Sequence, residues 1–161
     1  MKKKKVLFII WSFSYGGGAE KILANIVNNL DYEKYDIDVL EYLHADKMEP
    51  VNGNIKILPP IVDTMRQDIF SKIYNKLMNS ALIKLFPGLI RKMHLRKTYD
   101  VEISFNYLIP TFLLSKNSQK RIAWMHGSIY DLEENKRLKN KQRQALSSVN
   151  KIVAISNATE K

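Results

Sequence analysis

The sequence is organised around residues 5–30, KVLFIIWSFSYGGGAEKILANIVNNL. The stretch opens with an unbroken apolar run at 6–11, which is typical of a strand buried on both faces of a parallel sheet. Three consecutive glycines follow at 16–18. Beyond them, apolar residues recur at helical spacing and form one stripe: Ile22, Leu23, Ile26, Val27 and Leu30. The order is therefore strand, glycine loop and helix.

A glycine loop between a strand and a helix is suited to binding an anion. Glycine lets the backbone approach a ligand closely, and the free N–H groups and dipole of the helix's first turn attract negative charge. We therefore expect Gly16, Gly17 and Gly18 to cradle a phosphate or carboxylate. Glu20, in the first helical turn, is either a ligand-binding residue or a helix-start residue that complements the dipole. A tight turn without a ligand is the alternative for the whole loop.

Two common phosphate-binding motifs are excluded. A dinucleotide fingerprint, G-x-G-x-x-G, needs a third glycine where Lys21 stands. A P-loop needs Gly-Lys followed by Ser or Thr, and no such triplet follows the glycines.

Composition places the chain among globular proteins. Its 161 residues correspond to about one domain, with 45% apolar and 26% charged residues. The absence of cysteine excludes disulfides and thiolate metal sites and fits a reducing, cytoplasmic compartment. Three histidines, His44, His94 and His126, lie on dissimilar elements without ligand spacing, so we expect no metal site. We expect no cofactor either.

Strands and helices alternate along the rest of the chain. Further strands are predicted at 37–43, 55–58, 100–105, 121–125 and 151–155. Helices are predicted at 66–97 with a break at Pro87-Gly88, at 110–114, at 132–148 and after 156–157. This alternation predicts an α/β fold, a Rossmann-like open parallel sheet with helices on both faces, in a single domain spanning 1–161.

Ligands of such sheets bind at the carboxyl ends of the strands. The small or polar residues at the predicted strand ends are Gly16, Gly17, Gly18, Asn106, His126, Gly127, Ser128, Ser156 and Asn157. His126 is the candidate catalytic residue, because an imidazole exchanges protons near neutral pH. The alternatives are a structural histidine at 126, a loop residue at 106 and helix caps at 156 and 157.

Four segments together resemble a known family. They are KVLFII, the Gly-Gly-Gly-Ala-Glu-Lys that opens the first helix, WMHGS at 124–128 and VAISNAT at 153–159. In this order they are similar to the N-terminal domain of family 4 glycosyltransferases, which are retaining, nucleotide-sugar-dependent enzymes of the GT-B architecture. The resemblance implies that this domain selects the saccharide acceptor of a hexosyltransferase.

The same resemblance implies roles for individual residues. Gly16, Gly17 and Gly18 would touch the donor phosphate or the acceptor, His126 would approach the transferred sugar, and Ser156 would lie near the same cleft. The family's nucleotide-sugar site lies in a second Rossmann-like domain, which these residues do not include. We therefore expect the chain to be inactive alone, because transfer requires both reactants in one geometry.

The middle of the chain is strongly basic. Residues 66–98 contain eight Lys/Arg and one Asp, interleaved with apolar residues. An apolar helical face with cationic flanks predicts contact with an anionic membrane, and packing on the sheet with a solvated lysine face is the alternative. The predicted membrane contacts are Lys72, Lys76, Lys84, Arg91, Lys92 and Arg96. Nucleic acid is not expected, because no binding motif accompanies the net charge of +10.

Three functions follow as hypotheses. The first is the acceptor domain of a bacterial glycosyltransferase that builds surface polysaccharide on a lipid-linked acceptor at the inner face of the membrane. The second is a non-catalytic membrane-docking subunit that recruits a donor-binding chain. The third is a doubly wound module that binds another anionic small molecule.

Overall fold

A computed structural model describes residues 2–14, 16–78, 85–126 and 135–155. The strands are β1 (Lys4–Ile10), β2 (Tyr35–Glu41), β3 (Leu43–His44), β4 (Ile55–Ile57), β5 (Val62–Asp63), β6 (Val101–Ser104), β7 (Lys120–Met125) and β8 (Lys151–Ala154). The helices are α1 (Gly18–Asn28), α2 (Ile69–Leu77), α3 (Pro87–His94), α4 (Ile109–Phe112) and α5 (Lys136–Ser147).

Six strands form one parallel sheet in the order β4-β2-β1-β6-β7-β8. Counted along the chain, this is the order 3-2-1-4-5-6 of a doubly wound fold, so the prediction of a Rossmann-like parallel sheet is confirmed. The order reverses between β1 and β6, and the crevice expected to bind ligands lies at their carboxyl ends. A two-stranded sheet of β3 and β5, which was not predicted, extends the fold beyond β2.

The apolar run of β1 lies at the centre of the sheet and is buried on both faces. Leu7 and Ile9 join a cluster that contains Ile90 of α3 and Leu113 after α4. The alternate residues join a second cluster with α1, whose members include Val6, Phe8, Ile10, Leu23, Val27 and Phe105. The domain therefore has three layers, and the face covered by α1 is called the α1 face below.

Helices α2 and α5 begin at a side-chain cap. The Asp68 carboxylate accepts from the Ser71 N–H at 2.9 Å at the start of α2, and Asn135 accepts from the Leu138 N–H at 3.0 Å at the start of α5. The predicted break at Pro87-Gly88 is confirmed as the start of α3, since proline lacks the N–H that the first helical position leaves unpaired.

Candidate functional site

The carboxyl ends of β1 and β6 are joined by one side chain at the point where the strand order reverses. The Trp11 backbone N–H donates to the Asn106 side-chain oxygen at 2.9 Å. The Trp11 carbonyl accepts from the Leu43 N–H at 2.8 Å, so the backbone of Trp11 is held on both sides. Asn106 lies at the predicted edge of the sheet, where its amide oxygen links the ends of β1 and β6. Its role as a ligand contact stays a prediction.

A cavity of about 260 Å³ opens beside this bond, lined by Trp11, Asn106, Tyr107 and Leu108. The Trp11 ring packs on Tyr42 with centroids 4.9 Å apart, and 37% of the residue remains exposed. Trp11 is therefore a fixed aromatic surface with an accessible side, of the kind that binds groups with both apolar and polar parts. Sequence reasoning placed Trp11 inside the strand and did not identify it as a site residue.

Leu108 lines the same cavity in an unusual backbone conformation, with φ 64° and ψ −120°. A leucine there costs about 1–3 kcal/mol, because its Cβ clashes with the backbone, and such strain is concentrated at functional sites. The sequence gives no sign of it, since Gly, Asn and Asp are the residues that usually take positive φ.

The glycine loop lies at the same edge, between β1 and α1. Gly16 has φ 68°, and a Cβ there would meet nothing nearer than the Glu49 carboxylate at 3.9 Å. A Cβ on Gly17 would lie 2.7 Å from Oε2 of Glu20, while a Cβ on Gly18 would meet nothing within 4 Å. Each glycine thus has a different environment, and Gly16 has the conformation that requires glycine.

The Glu20 carboxylate lies beside Gly17 at the amino end of α1. The negative charge of Glu20 complements the positive amino end of the helix dipole. This position agrees with the interpretation of Glu20 as a helix-start residue. A carboxylate accepts hydrogen bonds and repels anions, so the space beside Gly17 suits a ligand hydroxyl better than a phosphate. The predicted anion cradle therefore stays a prediction, with Gly16 and Gly18 as its open positions.

The buried carboxylate of Glu41 holds the segment that precedes the glycines, and it was not identified from the sequence. Its Oε2 accepts from the Phe13 N–H at 2.9 Å and from the Ser14 hydroxyl at 3.4 Å, and its Oε1 lies 2.7 Å from Nδ1 of His44. Burial raises the pKa of Glu41, and the Phe13 N–H and His44 partly offset that rise. The sequence feature that could have identified Glu41 is its position as an acidic residue within the largely apolar segment 37–43.

His126 follows β7 and lies in an aromatic cluster. Its ring centroid is 4.9 Å from that of Phe105 and 6.4 Å from that of Trp124, and the Trp124 and His126 ring planes differ by 13°. Burial lowers the pKa of His126, so the imidazole is neutral at pH 7. Its Nε2 is buried and has no hydrogen-bond partner among the described residues. The hydrogen-bonding capacity of this ring nitrogen is therefore not used by any described residue.

The glycine loop and His126 share one edge and one face of the sheet. Both follow parallel strands, β1 and β7, which are separated by β6 and therefore roughly 10 Å apart. Phe105, which contacts His126, belongs to the same cluster as Leu23 of α1, so the imidazole lies on the α1 face. Gly127, Ser128, Ser156 and Asn157 lie outside the described residues.

The basic segment divides into exposed and buried cations. Lys72 and Lys76 on α2 and Lys92 and Arg96 at α3 are exposed, and Lys84 lies outside the described residues. The prediction that Arg91 contacts a membrane is corrected by the structure. The Arg91 side chain is only 13% exposed and forms an ion pair with the buried Glu102 carboxylate at 2.6 Å. A guanidinium held in this way is not available to a lipid surface.

Several large apolar side chains of the same segment are exposed. On α2, Phe70 is 85% exposed and Ile69 is 73% exposed, and no residue of this helix is buried. Across the described ranges, no helix has the length and apolar character needed to cross a membrane. An apolar face of this kind on a water-exposed helix usually contacts another surface.

Comparisons with known proteins gave weak likenesses to solved structures alone. No protein-family model and no curated protein matches the sequence. Among solved structures, Phytolacca americana UGT2 complexed with UDP-2fluoro-glucose and pterostilbene matches 82% of this chain with 12% identity and a TM-score of 0.39. The matched region is 33% of that protein, so the present chain spans about a third of its length.

Proposed function

We propose that the chain is the acceptor-binding domain of a bacterial retaining glycosyltransferase. The enzyme would transfer a sugar from a nucleotide-sugar donor to a lipid-linked saccharide acceptor during synthesis of surface polysaccharide. A second domain or partner chain would bind the donor, and the reaction would take place at the cytoplasmic face of the membrane.

The observation that carries the proposal is the common position of His126 and the glycine loop. They lie at one edge and on one face of a doubly wound sheet, at the crevice where such folds bind ligands. The four sequence segments that resemble family 4 glycosyltransferases contain these same residues. Neutral His126 has a ring nitrogen without a hydrogen-bond partner among the described residues, and a sugar hydroxyl would supply that partner.

The groups around the edge favour a hydroxyl-rich ligand. The Glu20 carboxylate, a hydrogen-bond acceptor, lies beside Gly17, and Trp11 presents an aromatic surface at the neighbouring cavity. A sugar ring has apolar C–H faces that pack on an aromatic ring and hydroxyls that donate to a carboxylate. We infer that the acceptor lies between Trp11 and the glycine loop, while the donor phosphates are held by the other domain.

The exposed face of α2 would bring the domain to its lipid-linked acceptor. Ile69 and Phe70 are exposed beside Lys72 and Lys76, which is the pattern of a helix that lies on an anionic bilayer. Each cation near such a surface contributes about 1 kcal/mol of attraction.

The test is sugar transfer by the full-length gene product, supplied with membrane extract and a panel of labelled nucleotide hexoses. His126→Ala should lower the transfer rate about a hundredfold or more, a far larger loss than the destabilisation from removing the packed ring accounts for. His94→Ala is the matched control, because His94 is also partly buried but lies on α3 and contacts Tyr74. Equal losses of rate and stability in His126→Ala would make His126 a structural residue and contradict the proposal.

A second candidate is the non-catalytic membrane-docking subunit. The exposed apolar residues of α2 favour this alternative, because membrane docking through α2 does not require catalysis at the sheet edge. Under this alternative, His126→Ala leaves transfer by the complete enzyme unchanged, while loss of the α2 face abolishes membrane recruitment.

A further inference from the structure

A second cavity lies at the opposite edge of the sheet from the proposed sugar site. It has a volume of about 480 Å³ and lies between α3 and the loop that leads to β7. Its lining includes residues 95–99, which precede β6, and 114–118, which precede β7, so it is at the amino ends of the strands. This cavity is called the α3 groove.

The lining of the α3 groove is strongly cationic. Its charged residues are Arg91, Lys92, Arg96, Lys97, Lys116 and a single carboxylate, Glu102. Two of these cations are already neutralised. Arg91 pairs with Glu102, and Lys97 lies 2.9 Å from Asp38 and 3.4 Å from Asp36.

The other three cations have no such partner. Lys92, Arg96 and Lys116 are exposed and make no hydrogen bond or ion pair with side chains in the described part of the chain. The groove therefore has three uncompensated positive charges around one cavity, which attract an anion.

The floor of the groove is fixed by partly buried hydrogen bonds. The Arg91 guanidinium donates to both carboxylate oxygens of Glu102, at 2.6 and 3.0 Å, and to the Leu113 carbonyl at 2.6 Å. The Ser115 N–H donates to the same carboxylate at 2.7 Å. These bonds join α3 to the loop before β7, so the two walls are held at a set separation before any ligand arrives. Such preorganisation lowers the entropic cost of binding.

The walls of the groove are apolar. Pro87, Leu95 and Tyr99 line it on one side and Phe112 and Leu114 on the other. On α3 itself, Leu89 is 60% exposed and Met93 is 52% exposed, next to Gly88 and Lys92 of the groove lining. A ligand that satisfies both features has an anionic head and an apolar body.

We propose that the α3 groove binds the phosphate headgroup of a membrane lipid, with Lys92, Arg96 and Lys116 around the phosphate and the acyl chains along the apolar walls. This site rests on the membrane-docking part of the proposed function and is independent of sugar transfer. It would add recognition of a single lipid to the general attraction provided by α2.

The experiment uses a soluble lipid, so that no bilayer is needed. Binding of dioctanoyl phosphatidic acid, below its micelle concentration, is measured by calorimetry on the chain of 161 residues. Dioctanoyl phosphatidylcholine and inorganic phosphate are the comparison ligands, and each should bind about tenfold or more weakly, because each lacks either the net charge or the apolar body. Inorganic phosphate binding as tightly as phosphatidic acid would assign the groove to free phosphate and overturn the lipid proposal.

The variant Lys92→Gln/Arg96→Gln/Lys116→Gln should bind phosphatidic acid about tenfold or more weakly than the wild type. The matched control is Lys47→Gln/Lys56→Gln/Lys136→Gln, which removes three exposed cations elsewhere and should bind as the wild type does. Equal binding by wild type and groove variant would overturn the site.

Amide NMR shifts of the wild-type chain give a second readout that needs no variant. Phosphatidic acid should shift residues 95–99 and 114–118, and shifts confined to 16–18 or 69–77 would overturn the proposal. A failure of sugar transfer, or of vesicle binding through α2, leaves these two measurements unaffected.

Discussion

The buried side-chain oxygen of Gln142 accepts a hydrogen bond from the backbone N–H of Leu108 at 2.9 Å. Among the described residues, Leu108 is the non-glycine residue with positive φ. Gln142 is fully buried, and its amide nitrogen lies 3.4 Å from the Thr111 hydroxyl. Helix α5 thereby holds the strained turn at the cavity beside Trp11, so the shape of that cavity depends on a residue 34 positions further along the chain.

Replacing Leu108 by glycine and by alanine isolates the backbone strain. Both variants lose the leucine side chain, but only the alanine variant keeps a Cβ in the disfavoured region. Leu108→Gly should therefore be more stable than Leu108→Ala by about 1–2 kcal/mol, the reverse of the usual order. Urea unfolding of the two proteins measures the difference, and a more stable alanine variant would show that the turn is not strained.

Arg91 and Lys92 are adjacent in sequence but should differ greatly in their effect on stability. Arg91→Met leaves the Glu102 carboxylate buried without its charge partner and should cost about 3–5 kcal/mol. Lys92→Met removes an exposed cation and should change stability by less than about 0.5 kcal/mol. Thermal unfolding compares them, and similar melting temperatures would mean that the ion pair does not form.

The sheet could be predicted because its signals are local. The apolar run at 6–11 and the helical stripe after the glycines each mark one element, and alternation then implies parallel crossovers. The order of the strands could not be predicted from local patterns alone. Strand β1 pairs with β2 on one side and, on the other, with β6, which lies about 95 positions later in the chain. The sheet of β3 and β5 was missed because two-residue strands have no periodicity.

The position of a candidate residue could be predicted where it directly follows a strand, but not where tertiary burial or backbone conformation decides, and the roles of the candidates in binding stay predictions. His126 and Asn106 were identified from their positions after β7 and β6. Arg91 was misassigned because its partner, Glu102, lies on another element and no local pattern joins them. The positive φ of Leu108 and the buried carboxylate of Glu41 arise from tertiary contacts, which composition does not encode.

Two neighbouring glycines should respond oppositely to alanine. Gly16→Ala places a Cβ on a residue with φ 68° and should cost about 1–2 kcal/mol. Gly18→Ala places one in open space at the start of α1, where lower chain entropy in the unfolded state should stabilise the protein by about 0.5–1 kcal/mol. Chemical denaturation of both variants is the check, and destabilisation by Gly18→Ala would indicate a close neighbour at that position.

Phe70 should contribute strongly to membrane binding if α2 is the docking face. Phe70→Ser removes an aromatic side chain that is 85% exposed, and should weaken binding to vesicles of phosphatidylglycerol and phosphatidylcholine by about tenfold or more. Ile22→Ser is the control, because Ile22 is 45% exposed on α1. Co-sedimentation compares the three proteins, and equal binding by all of them would exclude α2 as the docking face.

Acid should destabilise the folded chain through His126. Burial lowers the pKa of His126 below its ordinary value of 6.5, so the unfolded chain takes up a proton near that pH while the folded chain does not. Unfolding then binds a proton, and the contribution of neutral His126 to stability is full above about pH 6.5 and falls as the pH decreases. His94 has the same direction of shift, also because of burial.

The two histidines are separated by comparing His126→Gln with His94→Gln between pH 8 and pH 5. Glutamine does not titrate, so each variant should lose one part of the acid dependence, and the double variant should lose both. The free energy of unfolding from urea titrations at each pH gives the slopes. If His126→Gln has the same slope as the wild type, His126 takes up its proton equally in the folded and unfolded chain. The imidazole would then be solvated, and its ring nitrogen, which has no partner among the described residues, would bind water, so the basis for its proposed contact with a sugar hydroxyl would be lost.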